Sequence, residues 1–451
     1  MKETLERLAA WMRGEGEGPR LPWRIFWVGF LLRVLYMTLA HTYRMRTILD
    51  HFEFGWEMGR IARSLALGHG YADPFNGPSG PTAWTPPLYP LLMAGVFKLF
   101  GIYTLKSSWV ILTINSFFSA LAASAVYEIA WRCFGKTKQG LKIALWSGWL
   151  WALYPGTMQY AVKWIWEISI TVCLFAWVLV LALRIRGLGA EQNEETQTPR
   201  RWAFFGLLWG AIALSNSSLL TFLPFCGLWM LWDQPRGRLG ASARNALRAA
   251  VCFLAVATPW VVRNGYALHA FVPLRANFGA ELYEAAEPVN QGFPWGATLP
   301  MSDRAPQFQR YARMGEVAYS KERGEQATAV IRAHPRRFLK QVLIRTYFFW
   351  NSVPHPIEHG LANEIIREVQ FAFVSLAGFL GLALAFRRKI PGAWLFFWAL
   401  AVPPLLYYLI TVQARFRHPL EPILCVLSVY LFQSADTTRM WSWQPARKAT
   451  S

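Results

Sequence analysis

Residues 107–131 read SSWVILTINSFFSALAASAVYEIAW, 25 residues in which Glu128 is the single charged group. At about 1.5 Å per residue, a helix of this length crosses a hydrocarbon core of about 30 Å. Apolar blocks of the same kind recur at Trp23–Ala40, Leu141–Tyr160, Trp164–Leu183, Trp202–Leu214, Leu219–Trp232, Leu247–Val262, Phe371–Phe386, Ala393–Thr411 and Ile423–Phe432. With the first stretch they make about ten expected transmembrane helices, three of them short. Continuous apolar blocks exclude a transmembrane barrel, whose strands would alternate. Composition agrees: 54% of the 451 residues are hydrophobic and only 16% charged, more apolar surface than one soluble core needs. The expected fold class is an all-α polytopic membrane protein with juxtamembrane helices on its outer face.

The formal net charge of +20 is accounted for largely by the loops. Lys136, Lys138 and Lys142, then Arg184, Arg186, Arg200 and Arg201, then Arg236, Arg238, Arg244 and Arg248, then Arg387, Arg388 and Lys389 all fall on one side when the spans alternate. Cytoplasmic loops collect Lys and Arg, so that side is expected to face the cytoplasm. No nucleic-acid-binding motif accompanies the charge, and a nucleic-acid partner is not expected. The five cysteines lie in or beside apolar segments with no CxxC pair, which suits neither a disulfide framework nor a zinc site.

The expected organisation follows. Residues 1–22 form a cytoplasmic segment, and the apolar segment after it, with no small-residue cleavage site, is expected to be a retained first span rather than a removed signal peptide. Residues 23–262 form a bundle that includes an outer loop, 41–106. A second outer region, 263–370, carries one or two helices, residues 371–435 hold the last spans, and 436–451 are a cytoplasmic tail. Both termini are then cytoplasmic in a multi-pass cell-membrane protein, and the working surface lies outside.

The first outer loop is the most informative. In DHFEFGWEMGRIARSLAL (50–67), Phe54, Met58, Ile61 and Leu65 share one helical stripe, while Asp50, Glu53 and Glu57 share another face. An interfacial helix with intrahelical ion pairs to Arg60 and Arg63 is the bland reading. DPFNGPSGPTAWTPPLYP (73–90) is too Pro-rich for helix or sheet and is expected to be a fixed, irregular loop. A second amphipathic helix, Leu88–Leu99, leads to Phe100-Gly101.

This order of a span, an acidic juxtamembrane helix, a Pro-Pro-x-Tyr-Pro loop and a helix ending in Phe-Gly resembles the C-type membrane glycosyltransferases. The bacterial branch that includes protein mannosyltransferases and lipid A aminoarabinose transferases is most similar. The resemblance continues at Trp164-Ile165-Trp166-Glu167, at Thr258-Pro259-Trp260-Val261-Val262-Arg263-Asn264, and at Arg415-Phe416-Arg417-His418-Pro419-Leu420-Glu421-Pro422. It implies a sugar donor carried on polyprenyl phosphate, inverting transfer of a hexosyl or pentosyl group, a catalytic acid in the first outer loop, and an active site at the outer face. The better-known members carry an Asp-Glu pair where this chain has Phe54-Gly55, so the acidic role moves to Glu57, with Glu53 or Asp50 as alternates. No cofactor is expected. A carboxylate stripe suits a hard cation, but the resemblance implies relatives that need no metal.

Further candidates follow from position. Glu167 opens the fourth span, where a carboxylate faces a cavity or partner, or else snorkels. Lys163 beside it suits a phosphate or an interfacial anchor. Arg415 and Arg417 occupy a short outer loop where the positive-inside rule would not place them, and guanidinium groups bind phosphate oxygens bidentately. The bland alternative is headgroup binding or a surface salt bridge with Glu421. Arg263 carries the same ambiguity, and Trp84 and Tyr89 are expected to line a sugar site. His355-Pro-Ile-Glu358-His359 matches the spacing of inverted zinc peptidases, but Pro356 opposes the required helix and no third ligand is evident.

Two rival readings stand beside the enzyme. A transporter or lipid flippase would place its charges near the bilayer midplane and break helices in two matching halves, whereas this chain concentrates both at the outer face. A non-catalytic subunit for envelope-polysaccharide assembly differs only in activity. The acceptor is not legible from the residues.

Overall fold

A computed structural model describes residues 23–45, 54–189, 196–232, 239–288, 306–353 and 361–435. Among these residues the fold is helical throughout, with 17 α-helices and no strand. In chain order they are α1 (Trp23–Leu39), α2 (Glu57–Ala66), α3 (Leu88–Phe100), α4 (Leu105–Phe134), α5 (Gly140–Leu153), α6 (Pro155–Val162), α7 (Ile168–Ile185), α8 (Pro199–Ala213) and α9 (Leu223–Leu231). There follow α10 (Leu239–Leu268), α11 (Phe278–Ala286), α12 (Pro306–Met314), α13 (Glu316–Ala333), α14 (Pro335–Asn351), α15 (Leu361–Arg387), α16 (Ala393–Leu409) and α17 (Glu421–Ala435). Two 3₁₀ turns, Ser217–Phe222 and Ala414–Leu420, precede α9 and α17.

Each of the ten apolar segments contains helix, but among the described residues only α4, α7, α10 and α15 contain single runs long and apolar enough to cross a membrane. Backbone chemistry shortens several of the others. Leu141–Tyr160 divides at Pro155, whose ring disfavours helical backbone in the preceding residue, and Tyr154 is extended at ψ 119°. The segment 164–183 becomes helical only at Ile168, which leaves Trp164–Trp166 as a strap. The sixth segment opens with a 3₁₀ turn before α9. Among the described residues, the segment 263–370 holds four helices between α10 and α15, α11 to α14, where one or two were expected, because its polar helices carry no apolar block to announce them.

The interior is built around α4, which packs against α1, α5 and α7, while α8 pairs with α10 and α15 with α17. A capping box opens α4: the Ser107 amide donates to Thr104 Oγ1 (3.1 Å) and the Thr104 amide to Ser107 Oγ (3.0 Å). Arg33, buried within α1, donates to Ser119 Oγ and to the carbonyls of Gly29, Ala152 and Trp151, so its charge is solvated by the helices themselves. At the opposite end, Glu128 accepts from Arg132 (2.7 Å) and Arg184 (2.8 Å), tying α4 to α7. The outer surface exposes Leu31, Leu35, Leu39, Leu376 and Leu380, as lipid contact requires.

Candidate active site

The loop between the first two apolar segments departs from the expected continuous helix. Phe54, Gly55 and Trp56 form a turn, with Gly55 at φ +84° and Trp56 at φ +52°, and α2 begins at Glu57. Its start is set by contact with the strap before α7, since a β-carbon on Gly55 would stand 2.6 Å from the carbonyl oxygen of Ile165. Only glycine fits both the backbone angle and the space. Phe54 anchors the turn against the rings of Phe97 and Tyr103. The strap is held from behind: Asn115 donates to the Trp164 carbonyl (3.2 Å) and to Tyr89 Oη (2.9 Å). Two residues beyond each contacting backbone stand Glu57 and Glu167.

The Pro-rich loop is irregular and pinned. Asp73 Oδ1 accepts from the amides of Ser79 (2.7 Å) and Gly80 (2.9 Å). Buried Glu316, at the start of α13, accepts from the Ala83 amide (2.7 Å), the Tyr311 hydroxyl (2.7 Å) and the Thr82 hydroxyl. Arg263 donates to the carbonyls of Thr82 (2.6 Å) and Tyr71 (2.5 Å) and lies over the rings of Tyr71 and Trp260. These contacts join segments about 180 to 230 residues apart and hold Trp84 between Phe75 and Tyr311.

Loop, strap, α11 and the turn Ala414–Leu420 enclose a cavity of about 300 Å³ whose charged lining is Glu57, Glu167, Glu281, Glu284, Arg275 and Arg415. The Arg415 guanidinium stacks 3.7 Å above the Trp166 ring. Burial pulls its affinity for protons down, and the Glu167 and Glu57 carboxylates work the other way. Burial raises the pKa of Glu57 and of Glu167, with the Arg415 charge opposing in both cases. Glu281 accepts from Asn277 (3.1 Å) and Thr411 (2.7 Å). Glu284 is 1% exposed, and neither of its carboxylate oxygens has a hydrogen-bond partner among the described residues. Burial first, and then the Glu281 and Glu57 charges, push its pKa up to about 9.

No protein-family model matches the chain, and no curated protein does. Solved structures do. The oligosaccharyltransferase of Archaeoglobus fulgidus, in its complex with zinc and sulfate, superimposes with a TM-score of 0.52 at 14% identity, covering 92% of this chain and 49% of its own. The same organism's AglB, in complex with an inhibitory peptide and a dolichol-phosphate, gives 0.50 at 13% identity, covering 92% and 50%. ArnT from Cupriavidus metallidurans bound to undecaprenyl phosphate gives 0.38 at 14% identity, covering 90% and 78%. This chain has the fold of the C-type membrane glycosyltransferases. It spans about half the length of the archaeal chains it matches.

Within that fold, the structure brings together Glu57, Glu167, Arg415 and Trp84 from the expected set. Four others lie elsewhere. Arg417 is fully buried and donates to Glu421 (3.1 Å), Ser375 Oγ (2.7 Å) and the carbonyls of Trp350 and Phe371, so its bridge to Glu421 is internal rather than superficial. Lys163 is exposed at the end of α6, Arg263 clamps the loop, and Tyr89 supports the strap through Asn115. Asp50, Glu53 and the run His355–His359 fall outside the described residues. Glu281, Glu284 and Arg275 escape the sequence reading. Their one local signal is the i, i+3 spacing of two glutamates in α11, which any surface helix shares. Among the described residues no group of three or more His, Cys, Asp or Glu side chains converges as a cation site.

Proposed function

We propose that this protein transfers a sugar from a polyprenyl-phosphate donor to an acceptor hydroxyl at the non-cytoplasmic membrane face. The observation that carries the reading is the meeting of Glu57, Glu167 and Arg415 in one cavity, beside a loop too tightly pinned to be a mere connector. A half-buried carboxylate with a raised pKa is a better base than an exposed one, and a half-buried guanidinium stacked on a ring is a preorganised partner for a phosphate. That AglB has been captured with a dolichol-phosphate supports a lipid phosphate as the donor's carrier.

The acceptor hydroxyl gives its proton to Glu57 as its oxygen attacks the anomeric carbon. The bond from that carbon to the phosphate oxygen breaks, and polyprenyl phosphate departs with the electron pair, its new charge met by Arg415. A single in-line displacement inverts the anomeric centre. Glu167 orients the acceptor, Trp84 and Trp166 wall the sugar, and Arg417 secures the turn that presents Arg415. The basic loops support an orientation in which this end of the bundle faces outward and both termini face the cytoplasm.

The test is incubation of the purified full chain with a panel of polyprenyl-phosphate hexoses and pentoses, with release of polyprenyl phosphate as the readout. Release from one donor, lost in Glu57→Gln, supports the reading. No release from any donor, with a folded protein and candidate acceptors present, overturns it.

A further inference from the structure

α14 has two opposite faces. Gln341, Arg345 and Phe349 are buried, and Arg345 donates to the carbonyls of Tyr408 (2.8 Å) and Ala285 (3.1 Å). That bonding seats the helix on α16 and α11 at the cavity end of the bundle. The other face is exposed. It begins with Arg336 and Lys340, one turn apart, and continues through Leu339, Leu343 and Tyr347, which are 59%, 63% and 62% exposed. Arg332, in the last turn of α13, stands exposed four residues before Arg336, across the non-helical His334 that separates α13 from α14. Residues spaced by three or four share a helix face, so within α14 Arg336, Lys340 and the apolar side chains form one stripe whose character changes along its length.

The direction of that change matters. The carbonyl of Trp350, near the end of α14, accepts from Ser375 Oγ (2.6 Å). Ser375 lies well inside α15, whose run Glu364–Arg387 is long and apolar enough to cross a membrane. The end of α14 is therefore at bilayer depth, and Arg336 lies about 21 Å back along the helix. The apolar half of the stripe is on the lipid side and the cations are on the headgroup side. Ile365, Ile366, Val369 and Phe373 of α15 are exposed as well. Among the described residues, Arg332, Arg336 and Lys340 make no side-chain ion pair that would use up their charge.

We propose that this face is a binding surface for anionic phospholipid, with headgroup phosphates against Arg332, Arg336 and Lys340 and acyl chains along Leu339, Leu343 and Tyr347. The occupant follows from the order of the stripe. A protein partner or a second copy would have to cover cations and lipid-level leucines together, whereas one lipid molecule has that sequence of chemistry built in. Each basic residue near an anionic bilayer contributes roughly fivefold in affinity.

The test uses delipidated full-length protein in detergent, titrated with phosphatidylglycerol or phosphatidylcholine, with bound lipid counted by native mass spectrometry. The parent should retain phosphatidylglycerol about tenfold or more in preference to phosphatidylcholine. Arg336→Gln/Lys340→Gln should lose that preference, Arg336→Lys should keep most of it, and Arg387→Gln, at the far end of α15, should leave it unchanged. A parent without preference, or a double variant that retains it, overturns the proposal. So does a disulfide between two copies of Leu343→Cys formed at low protein concentration, which would show the face covered by a second chain. No turnover is measured, so this result stands apart from the enzymatic one.

Discussion

Gly55 and the Ile165 carbonyl oxygen meet with no room for a side chain, a β-carbon standing only 2.6 Å away. This contact brings the loop that opens α2 against the strap before α7 and fixes the separation of Glu57 from Glu167. Gly55→Ala must adopt an unfavourable positive φ and push the strap away. We expect a stability loss of about 1 to 3 kcal/mol and, because a displacement of about 1 Å costs on the order of 10²-fold in rate, a loss of turnover beyond that explained by unfolding. Thermal unfolding and turnover of the folded fraction, measured together, check this. Parental turnover in Gly55→Ala would break the link between contact and chemistry.

The proposed reaction gives the carboxylates different roles. A general base contributes about 10² to 10⁴-fold in rate, so Glu57→Gln should lower turnover by at least about two orders of magnitude while folding and donor binding persist. Glu167→Gln should be intermediate, and Glu53→Gln and Asp50→Asn milder. If Glu57→Gln turns over normally and one of the others is inactive, the base lies elsewhere on the loop.

Arg415 and Arg417 should part company in stability. In the proposed reaction Arg415→Ala removes a charged hydrogen bond to phosphate worth about 1.5 to 3 kcal/mol, so donor use should weaken by about 10 to 100-fold with little change in unfolding. Arg417→Ala leaves Glu421 buried beside His418 without its guanidinium partner, and breaking a buried pair costs about 3 to 5 kcal/mol. Unfolding temperatures in detergent and donor KM distinguish the two; equal destabilisation by both would contradict the assignment.

Glu284 makes stability depend on pH. Its folded carboxyl holds a proton until about pH 9, against an ordinary value of 4.5. Between those values the folded chain binds more protons than the unfolded one. Stability therefore falls as pH rises through this window, with a limiting slope of about 1.4 kcal/mol per unit. Glu284→Gln has no such proton, so its stability should change less with pH and exceed the parent's at pH 8. Unfolding temperatures at pH 5, 6.5 and 8 provide the measurement, and parallel profiles would show that Glu284 ionises freely.

Orientation is testable with an impermeant thiol reagent. Ala329→Cys, exposed on α13, should label from outside intact cells, and Lys138→Cys, exposed between α4 and α5, should label only after permeabilisation. The reverse pattern would place the cavity in the cytoplasm.

Much of this protein was determined by local sequence. Length and hydropathy suffice for the all-helical class and for where the apolar segments lie, because a backbone in lipid must satisfy its own hydrogen bonds and a helix does so locally, but they do not give the count, which is 17 helices among the described residues rather than about ten. The Pro-rich loop announces its irregularity by lacking amide donors, and Glu57, Glu167 and Arg415 stand out as charges beside apolar segments. What local sequence did not determine is direction and long-range company. The acidic stripe from Asp50 suggested one helix, yet Gly55 and Trp56 break it because the chain turns to meet Ile165. α11 delivers Glu281 and Glu284 to the cavity across more than 220 residues from Glu57, a distance no periodicity encodes. The two arginines of the last outer turn looked alike in sequence. In a 3₁₀ turn each residue advances about 120°, so positions two apart point about 120° away from one another, and only packing against Trp166 on one side and Glu421 on the other decides which guanidinium faces the cavity and which is buried.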